Sequence, residues 1–427
     1  MGNNKNKILF VVDKPCFPVI DGSSQRYHAW INYLIKEGYE VYFLSFNRRS
    51  FRWNEESISI LREYVKDYLI VDAHSNLLFS TFVSSINYIF RIITRKYFTT
   101  GFFYQYINKT MHNSIRKYIK YNGVHTLIVN KVETAYLMGL ENIRNFHGTK
   151  IIDIHDIHAM HYDMANRALK NRPTHFFLRR NYSNLLILKI LFFSFNYAKA
   201  LKEELAILTI FDKILATSIE EYNYLLKYGS ISNKLTYLSP LAFVMKNNGD
   251  NLNKQSKEYD FGFIAGSGIF NVEAVEYFGK AIIPWIEAEK PDFCAVIAGS
   301  ICAVAKDVLS RHKGFTFLDT VKDLNDFYGK TKVVVVPLLS GTGVSIKTLE
   351  AMSFGCPVVS TSAGARGLEV TDGVDIRIED DPKRFADILI RLIDDEPGRH
   401  TMAESAAQTI REKYSLNRYH ETLRKIL

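Results

Sequence analysis

At 427 residues the chain is longer than one ordinary hydrophobic core spans, and two domains of roughly 200 residues are the natural division. Its 47% hydrophobic and 23% charged residues are those of a soluble globular protein, and no run of about 18 consecutive strongly apolar residues is present, which excludes a membrane-spanning helix. The net charge of +9 is concentrated in residues 1–240, a balance that suits an anionic partner such as a nucleic acid, an anionic membrane surface or an acidic glycan.

The chain opens MGNNKNKILFVVD, basic residues running straight into an apolar segment with no small-residue cleavage site, so no secretory leader is expected. Residues 8–12 read as a buried strand, DKPCFPVIDGSSQR as the loop after it, and about 24–36 as a helix stopped by Gly38. A strand at 41–46 follows. This strand, loop, helix, glycine, strand rhythm argues for a doubly wound parallel sheet. Further strands are expected at 69–71, 126–129, 150–154 and 213–216, all within a first domain ending near residue 245. Cys16, Cys294, Cys302 and Cys356 show no C-x-x-C spacing and fit reduced thiols in a cytoplasmic protein.

Two apolar stretches interrupt the rhythm. Residues 76–90 are uncharged and aromatic and are followed by Arg91, Arg95 and Lys96; residues 185–195 contain Lys189 and follow Arg179 and Arg180. They read either as core helices or as an amphipathic surface for anionic lipid.

The polar run KNNGDNLNKQSK marks a linker over 246–258. A second α/β domain, 259–410, then begins with a strand at 261–265. A helix at 272–285, a strand at 293–298, a helix near 304–311 and strands at 316–317 and 333–336 follow. A helix at 403–413 leads into a tail, 411–427, expected to return to the first domain.

Residues 336–361, VPLLSGTGVSIKTLEAMSFGCPVVST, carry the most chemistry. Gly341 and Gly343 remove side chains where a backbone must approach a ligand closely. Residues 344–354 read as a helix, with Lys347 and Glu350 at i, i+3 on neighbouring surface positions. A cation near the turn suits phosphate; a carboxylate one turn on suits paired hydroxyls such as a ribose diol. Taken alone, the two charges also fit an ordinary solvated pair.

The order of strand, Pro337, glycine turn, helix, Gly355, Pro357 and strand resembles the donor-binding segment of retaining glycosyltransferases of family 4. The resemblance implies an α/β GT-B fold: two Rossmann-like doubly wound parallel-sheet domains facing across a cleft, nucleotide sugar on the second and acceptor on the first. It implies a sugar-transferring enzyme of bacterial polysaccharide or lipopolysaccharide assembly, cytoplasmic or at the inner membrane face. A UDP- or GDP-sugar would be the donor, a glycan or lipid-linked molecule the acceptor, and no cofactor is needed.

Carried over residue by residue, the resemblance assigns the diphosphate to Lys347 and the backbone N–H groups around Gly343, Val344 and Ser345, and the ribose to Glu350. Relatives carry a further glutamate eight positions earlier; here it is Thr342, so sugar contacts fall to Thr342 and the Gly341–Gly343 backbone. Gly266, Ser267 and Gly268 resemble the phosphate-side loop without its usual basic residues. Gly299 and Ser300 end the next strand, beside base and ribose. Gly22 stands where relatives have a glycine pair, its second member replaced by Ser23, with Asp21 and Arg26 assigned to the acceptor. His155, with Asp156 beside it, falls near the sugar and the reacting centre.

Other readings remain. His155, His158 and His161 recur every three residues with Asp156 and Asp163 nearby, but without H-E-x-x-H no metal site is expected. No Asp-x-Asp pair occurs, which points to metal-independent chemistry. An inverting enzyme with Asp156 or Asp21 as base, and a non-catalytic nucleotide-sugar or polysaccharide binder, stay open. The dispersed basic residues carry no nucleic-acid signature, so no nucleic-acid partner is expected.

Overall fold

The computed structural model describes residues 7–19, 21–48, 51–73, 109–170, 197–242 and 256–427. The apolar stretches 76–90 and 185–195 with their flanking Arg91, Arg95, Lys96, Arg179 and Arg180, and residues 246–255 of the expected linker, lie outside the described residues. The chain divides into two compact units: Met1–Asp163 with Ile187–Pro240 and His420–Leu427, and Met164–Leu186 with Leu241–Tyr419. No helix among the described residues is long and apolar enough to cross a membrane.

The first unit is built on seven strands: β1 (Lys7–Val11), β2 (Glu40–Asn47), β3 (Asp67–Asp72), β4 (Thr126–Asn130), β5 (Thr149–Ile154), β6 (Lys213–Ala216) and β7 (Leu235–Tyr237). All pair in parallel, in the order β3-β2-β1-β4-β5-β6-β7. The second unit holds β8 (Tyr259–Ile264), β9 (Ala295–Ala298), β10 (Phe315–Leu318), β11 (Thr331–Val336), β12 (Val358–Ser360) and β13 (Arg377–Ile378), parallel in the order β10-β9-β8-β11-β12-β13. Central strands are near-continuous apolar runs, as buried parallel strands require; Val333 to Val336 are all buried. In sheets of this winding, ligands bind outside the carboxyl ends of the strands where the order reverses. Those points are β1/β4 in the first unit and β8/β11 in the second.

The expected strands are present with shifted ends, and two short edge strands, β7 and β13, were not anticipated because three and two residues leave no alternation to detect. The expected helix at 24–36 begins earlier, at Gly22, because Asp21 is the cap: its carboxylate accepts from the Ser24 N–H at 2.8 Å, and the Asp21 N–H donates to Ser24 Oγ at 2.9 Å. The expected helix at 272–285 is divided into Ile269–Tyr277, a π-turn Phe278–Ile282, and Ile283–Glu289. Pro284, at the start of the last piece, has no N–H to continue the ladder and its ring opposes the preceding turn.

Candidate functional site

In the second unit, β11 ends at its switch point and the chain turns through Gly341 (φ +151°) and Gly343 (φ +64°), angles that favour glycine. A Cβ on Gly341 would also stand 3.0 Å from Arg366 Nη2. The helix Ile346–Ser353 follows, shorter than the expected 344–354 because Val344 and Ser345 form its approach. Ser345 anchors that approach: its N–H donates to the Arg366 carbonyl (3.3 Å), and its hydroxyl lies 3.0 Å from Thr348 Oγ1, which itself donates to the Gly364 carbonyl at 2.6 Å. Leu349 packs with Ala242, Leu368 and Tyr414, so the helix cannot rotate its apolar face outward.

That seating leaves Lys347 and Glu350 half-buried on the remaining face. Burial lowers the Lys347 pKa to about 8; the Glu350 charge opposes the shift and the Arg366 charge adds to it. Lys347 makes no hydrogen bond or ion pair among the described residues, whereas Glu350 is held: the Tyr328 hydroxyl donates to its Oε1 at 2.5 Å. Tyr328 is wholly buried and stacked on Phe354 at 4.4 Å. Burial raises the Glu350 carboxyl above its ordinary range, against the pull of Tyr328 and Lys347.

Gly266, Ser267 and Gly268 lie exposed just beyond β8, next to β11 in the sheet. The Ser267 N–H donates to Ser300 Oγ at 3.0 Å, and Asn271 Nδ2 to the Gly266 carbonyl at 2.8 Å. A Cβ on Gly266 or Gly268 would find its nearest neighbour at 3.8 or 3.9 Å, so neither glycine is forced by internal packing. Gly299 differs: at φ +90° its Cβ would meet the Ala265 carbonyl oxygen at 2.5 Å, and strand packing alone demands glycine.

Two residues of this unit escaped the sequence reading. Tyr328 was hidden in an unremarked helix, Leu324–Lys330. Arg366 sits in Gly-Ala-Arg-Gly after β12, where a basic residue between glycines was the available signal; it donates to the carbonyls of Thr342 (2.6 Å), Gly343 (3.2 Å) and Ala363 (3.4 Å).

In the first unit, Gly22 opens the helix at the carboxyl edge of β1, and the capping Asp21 carries an ion pair from Lys14. Arg26, expected at the acceptor, is instead 5% exposed and directed inward. Its Nε and Nη2 grip both carboxylate oxygens of Asp153 at 2.7 and 2.8 Å, and Trp30 Nε1 adds a third donor at 2.9 Å. The acceptor assignment is corrected accordingly: a buried carboxylate needs those donors, and the fork is committed to it.

His155 ends β5 with Nδ1 3.5 Å from Ser23 Oγ and its ring 5.4 Å from that of Tyr27, while Nε2 is buried without a hydrogen-bond partner. Burial lowers its pKa to about 3, so the imidazole is neutral at ordinary pH. Asp156 lies 3.1 Å from His161 Nδ1; burial would raise its carboxyl, but the His161 contact and charge hold it low. His158 packs edge-on to Tyr162 at 4.5 Å. Among the described residues no group of three or more His, Cys, Asp or Glu is placed to hold a metal ion.

Missed in this unit were Asp13 and Lys131, which meet at 3.1 Å across the β1/β4 switch point, with the Tyr27 hydroxyl donating to Asp13 at 2.7 Å. Lys131 has φ +69°, a strained angle for a residue with a side chain. Glu204, 2% exposed, caps the helix after His155 by accepting from the His158 and Ala159 N–H groups at 2.9 and 2.8 Å.

Residues 258–395 match the family model described as Glycosyl transferases group 1, about a third of the chain. An uncharacterized 44.6 kDa protein in the cps region of Klebsiella pneumoniae is 28% identical over 152 residues, 34% of this chain; the match spans 39% of that protein. Among solved structures, Anabaena HepE in complex with UDP-glucose superposes with a TM-score of 0.62 at 12% identity, covering 98% of both chains. An S. aureus TarM mutant in complex with fondaparinux, alpha-GlcNAc-glycerol and UDP gives 0.63 at 11%, covering 99% of both. At those identities the likeness is one of fold, and the chain has the GT-B fold: two Rossmann-like parallel-sheet domains.

Proposed function

We propose that this chain is a GT-B glycosyltransferase of the family 4 type. It moves a sugar from a UDP- or GDP-sugar to a glycan or lipid-linked hydroxyl acceptor, with retention at the anomeric carbon. The observation that carries the reading is the half-buried Lys347 beside Glu350, at the start of a helix at the β8/β11 switch point, inside the segment that matches the glycosyltransferase model. Lys347 and the helix N-terminus take up charge on the departing diphosphate, and Glu350 accepts from the ribose hydroxyls. The neutral His155 bonds a sugar hydroxyl through Nε2. The bond from the anomeric carbon to the phosphate oxygen breaks, the acceptor oxygen bonds the same face, and its proton passes to the leaving phosphate, with no metal required.

One feature supports retention over inversion. Asp21 and Asp156, the alternative bases, are engaged by Lys14 and His161 and held below the ordinary carboxylate range. The cps-region relative supports a place in bacterial surface-polysaccharide synthesis. A lipid-linked acceptor would hold the enzyme at the cytoplasmic membrane face, where the basic excess of residues 1–240 is favourable.

Thermal-shift screening against nucleotides and nucleotide sugars tests the donor, because a ligand bound only by the native state raises its stability. Transfer by wild type, Lys347→Ala and Glu350→Ala tests the site, and NMR of the product anomer tests the stereochemistry. No response to any nucleoside diphosphate, or near-normal turnover by both variants, would sink the assignment; an inverted anomer would overturn retention.

A further inference from the structure

The phosphate-side loop Gly266–Gly268 lacks basic residues, and the helix after it, Ile269–Tyr277, begins without one. Lys347 alone is a thin supply of charge for a diphosphate. The only other described cation built into the Gly341–Ser345 turn is Arg366, delivered from beyond β12. We propose that Arg366 is the residue that makes this turn selective for a diphosphate: it positions the turn's backbone N–H groups and sets a second fixed positive charge beside Lys347. The inference rests on the donor reading above and deepens it.

Three observations carry it. The first is the direction of the peptide planes. Arg366 Nη2 and Nε take the carbonyls of Thr342 and Gly343 at 2.6 and 3.2 Å. In a trans peptide the N–H points opposite to the carbonyl, so the N–H groups of Gly343 and Val344 are aimed away from the guanidinium. A planar fork with several donors can hold two successive carbonyls; an ammonium cannot hold both in one geometry. The second is the seat of the guanidinium. It lies flat against Gly341, whose missing Cβ would stand 3.0 Å from Nη2 and 3.2 Å from Nη1, and the Arg366 carbonyl takes the Ser345 N–H at 3.3 Å. Turn, helix start and arginine therefore lock one another. The third is access. Arg366, Arg167, Gly341, Ser340, Ser362 and Glu273 line a cavity of about 510 Å3, within the usual range for a small-molecule site. Glu273 is the one carboxylate there, and the Ser340 hydroxyl donates to it at 2.6 Å.

The test is a ligand ladder read by isothermal titration calorimetry on the full chain. Uridine, UMP and UDP, and guanosine, GMP and GDP, are titrated into wild type, Arg366→Gln and Arg366→Lys, each checked for a wild-type-like melting transition. The expected result is a loss of about tenfold or more in diphosphate affinity for Arg366→Gln, with nucleoside affinity unchanged and Arg366→Lys in between, since a hydrogen bond to a charged group is stronger than one between neutral groups. Should Arg366→Gln lack a native melt, Arg366→Lys is read by the same ladder. An equal loss on every rung, nucleoside included, would mean that Arg366 only braces the fold, and an undiminished diphosphate affinity would mean that it does nothing there; either overturns the proposal. Wild type binding neither series would instead overturn the donor reading itself, a separate outcome visible before any variant is compared.

Discussion

Tyr328→Phe removes a single oxygen from a buried ring and leaves its stacking on Phe354 in place, so it isolates one hydrogen bond. That bond, 2.5 Å to Glu350 Oε1, is charge-assisted, and its loss leaves a half-buried carboxylate one donor short, at about 1.5–3 kcal/mol. Burial already raises the Glu350 carboxyl, and Tyr328 and Lys347 restrain it; without Tyr328 it rises further. The sign follows from linkage. A carboxyl raised by folding binds its proton more readily in the native state, so its contribution to stability is greatest below the unfolded value and declines as pH climbs through the raised one. The variant carries that decline to higher pH. For the nucleotide the direction reverses, because the ribose needs the ionised carboxylate as acceptor: affinity rises with pH on this limb, and the limb moves up in the variant. Calorimetric titration from pH 5 to 8 should show the shift and a loss of roughly tenfold for UDP or GDP near neutrality, about 1.4 kcal/mol. The 2′,3′-dideoxy analogues, which offer no diol, should lose almost nothing. If they lose as much as the ribonucleotides, or the acid limb stays where it was, Glu350 does not hold the ribose.

Lys347, lowered to about 8, is charged below that pH and increasingly neutral above it until a bound phosphate restores its proton, so diphosphate affinity should fall as pH rises past 8. Calorimetry in buffers of differing ionisation enthalpy should detect proton uptake there, and Lys347→Arg should abolish it. Gly299→Ala should lower stability by about 2 kcal/mol or more in thermal melts, since its Cβ has a carbonyl oxygen at 2.5 Å and φ is +90°. Gly266→Ala should leave the melt unchanged and weaken nucleotide binding, because open space surrounds the added methyl until a ligand arrives. Arg26→Met should cost about 3–5 kcal/mol in denaturant unfolding by stranding Asp153. If it instead leaves stability intact and raises only the acceptor KM, the inward assignment of Arg26 is wrong.

The winding of both sheets was legible because parallel strands buried on two faces must be apolar runs, and runs such as Val333–Val336 announce themselves. What failed were features set by tertiary contact. The break at Phe278–Ile282 comes from Pro284 acting on a helix whose apolar pattern continues unbroken through it. Glu204 caps a helix 46 residues earlier in the chain, a distance at which local spacing carries no signal. Arg26 was expected at the acceptor from its place one turn into the helix; its partner, Asp153, is 127 residues away on β5, again too far along the chain for local spacing to carry a signal.

The same contrast separates the two ends of the candidate chemistry. At the carboxyl edge of the first unit the lysines and the arginine already have carboxylates: Lys14 with Asp21, Arg26 with Asp153, Lys131 with Asp13. Such pairs, desolvated and locally neutral, fix geometry and offer little net field to an anion. In the second unit Glu350 accepts from a neutral hydroxyl, that of Tyr328, and Arg366 donates to the carbonyls of Thr342, Gly343 and Ala363. Lys347 and Arg366 both stand at the glycine turn, with Glu350 beside them, whereas the pairs on the β1 to β5 edge are locally neutral. This supports the proposed place of the anionic partner at the turn and of a neutral His155 bonding a sugar hydroxyl. A donor diphosphate at the turn fits that division, and in calorimetric titration with UDP or GDP reversing the charge at Arg366 should damage binding more than removing Lys14 and Asp21 together.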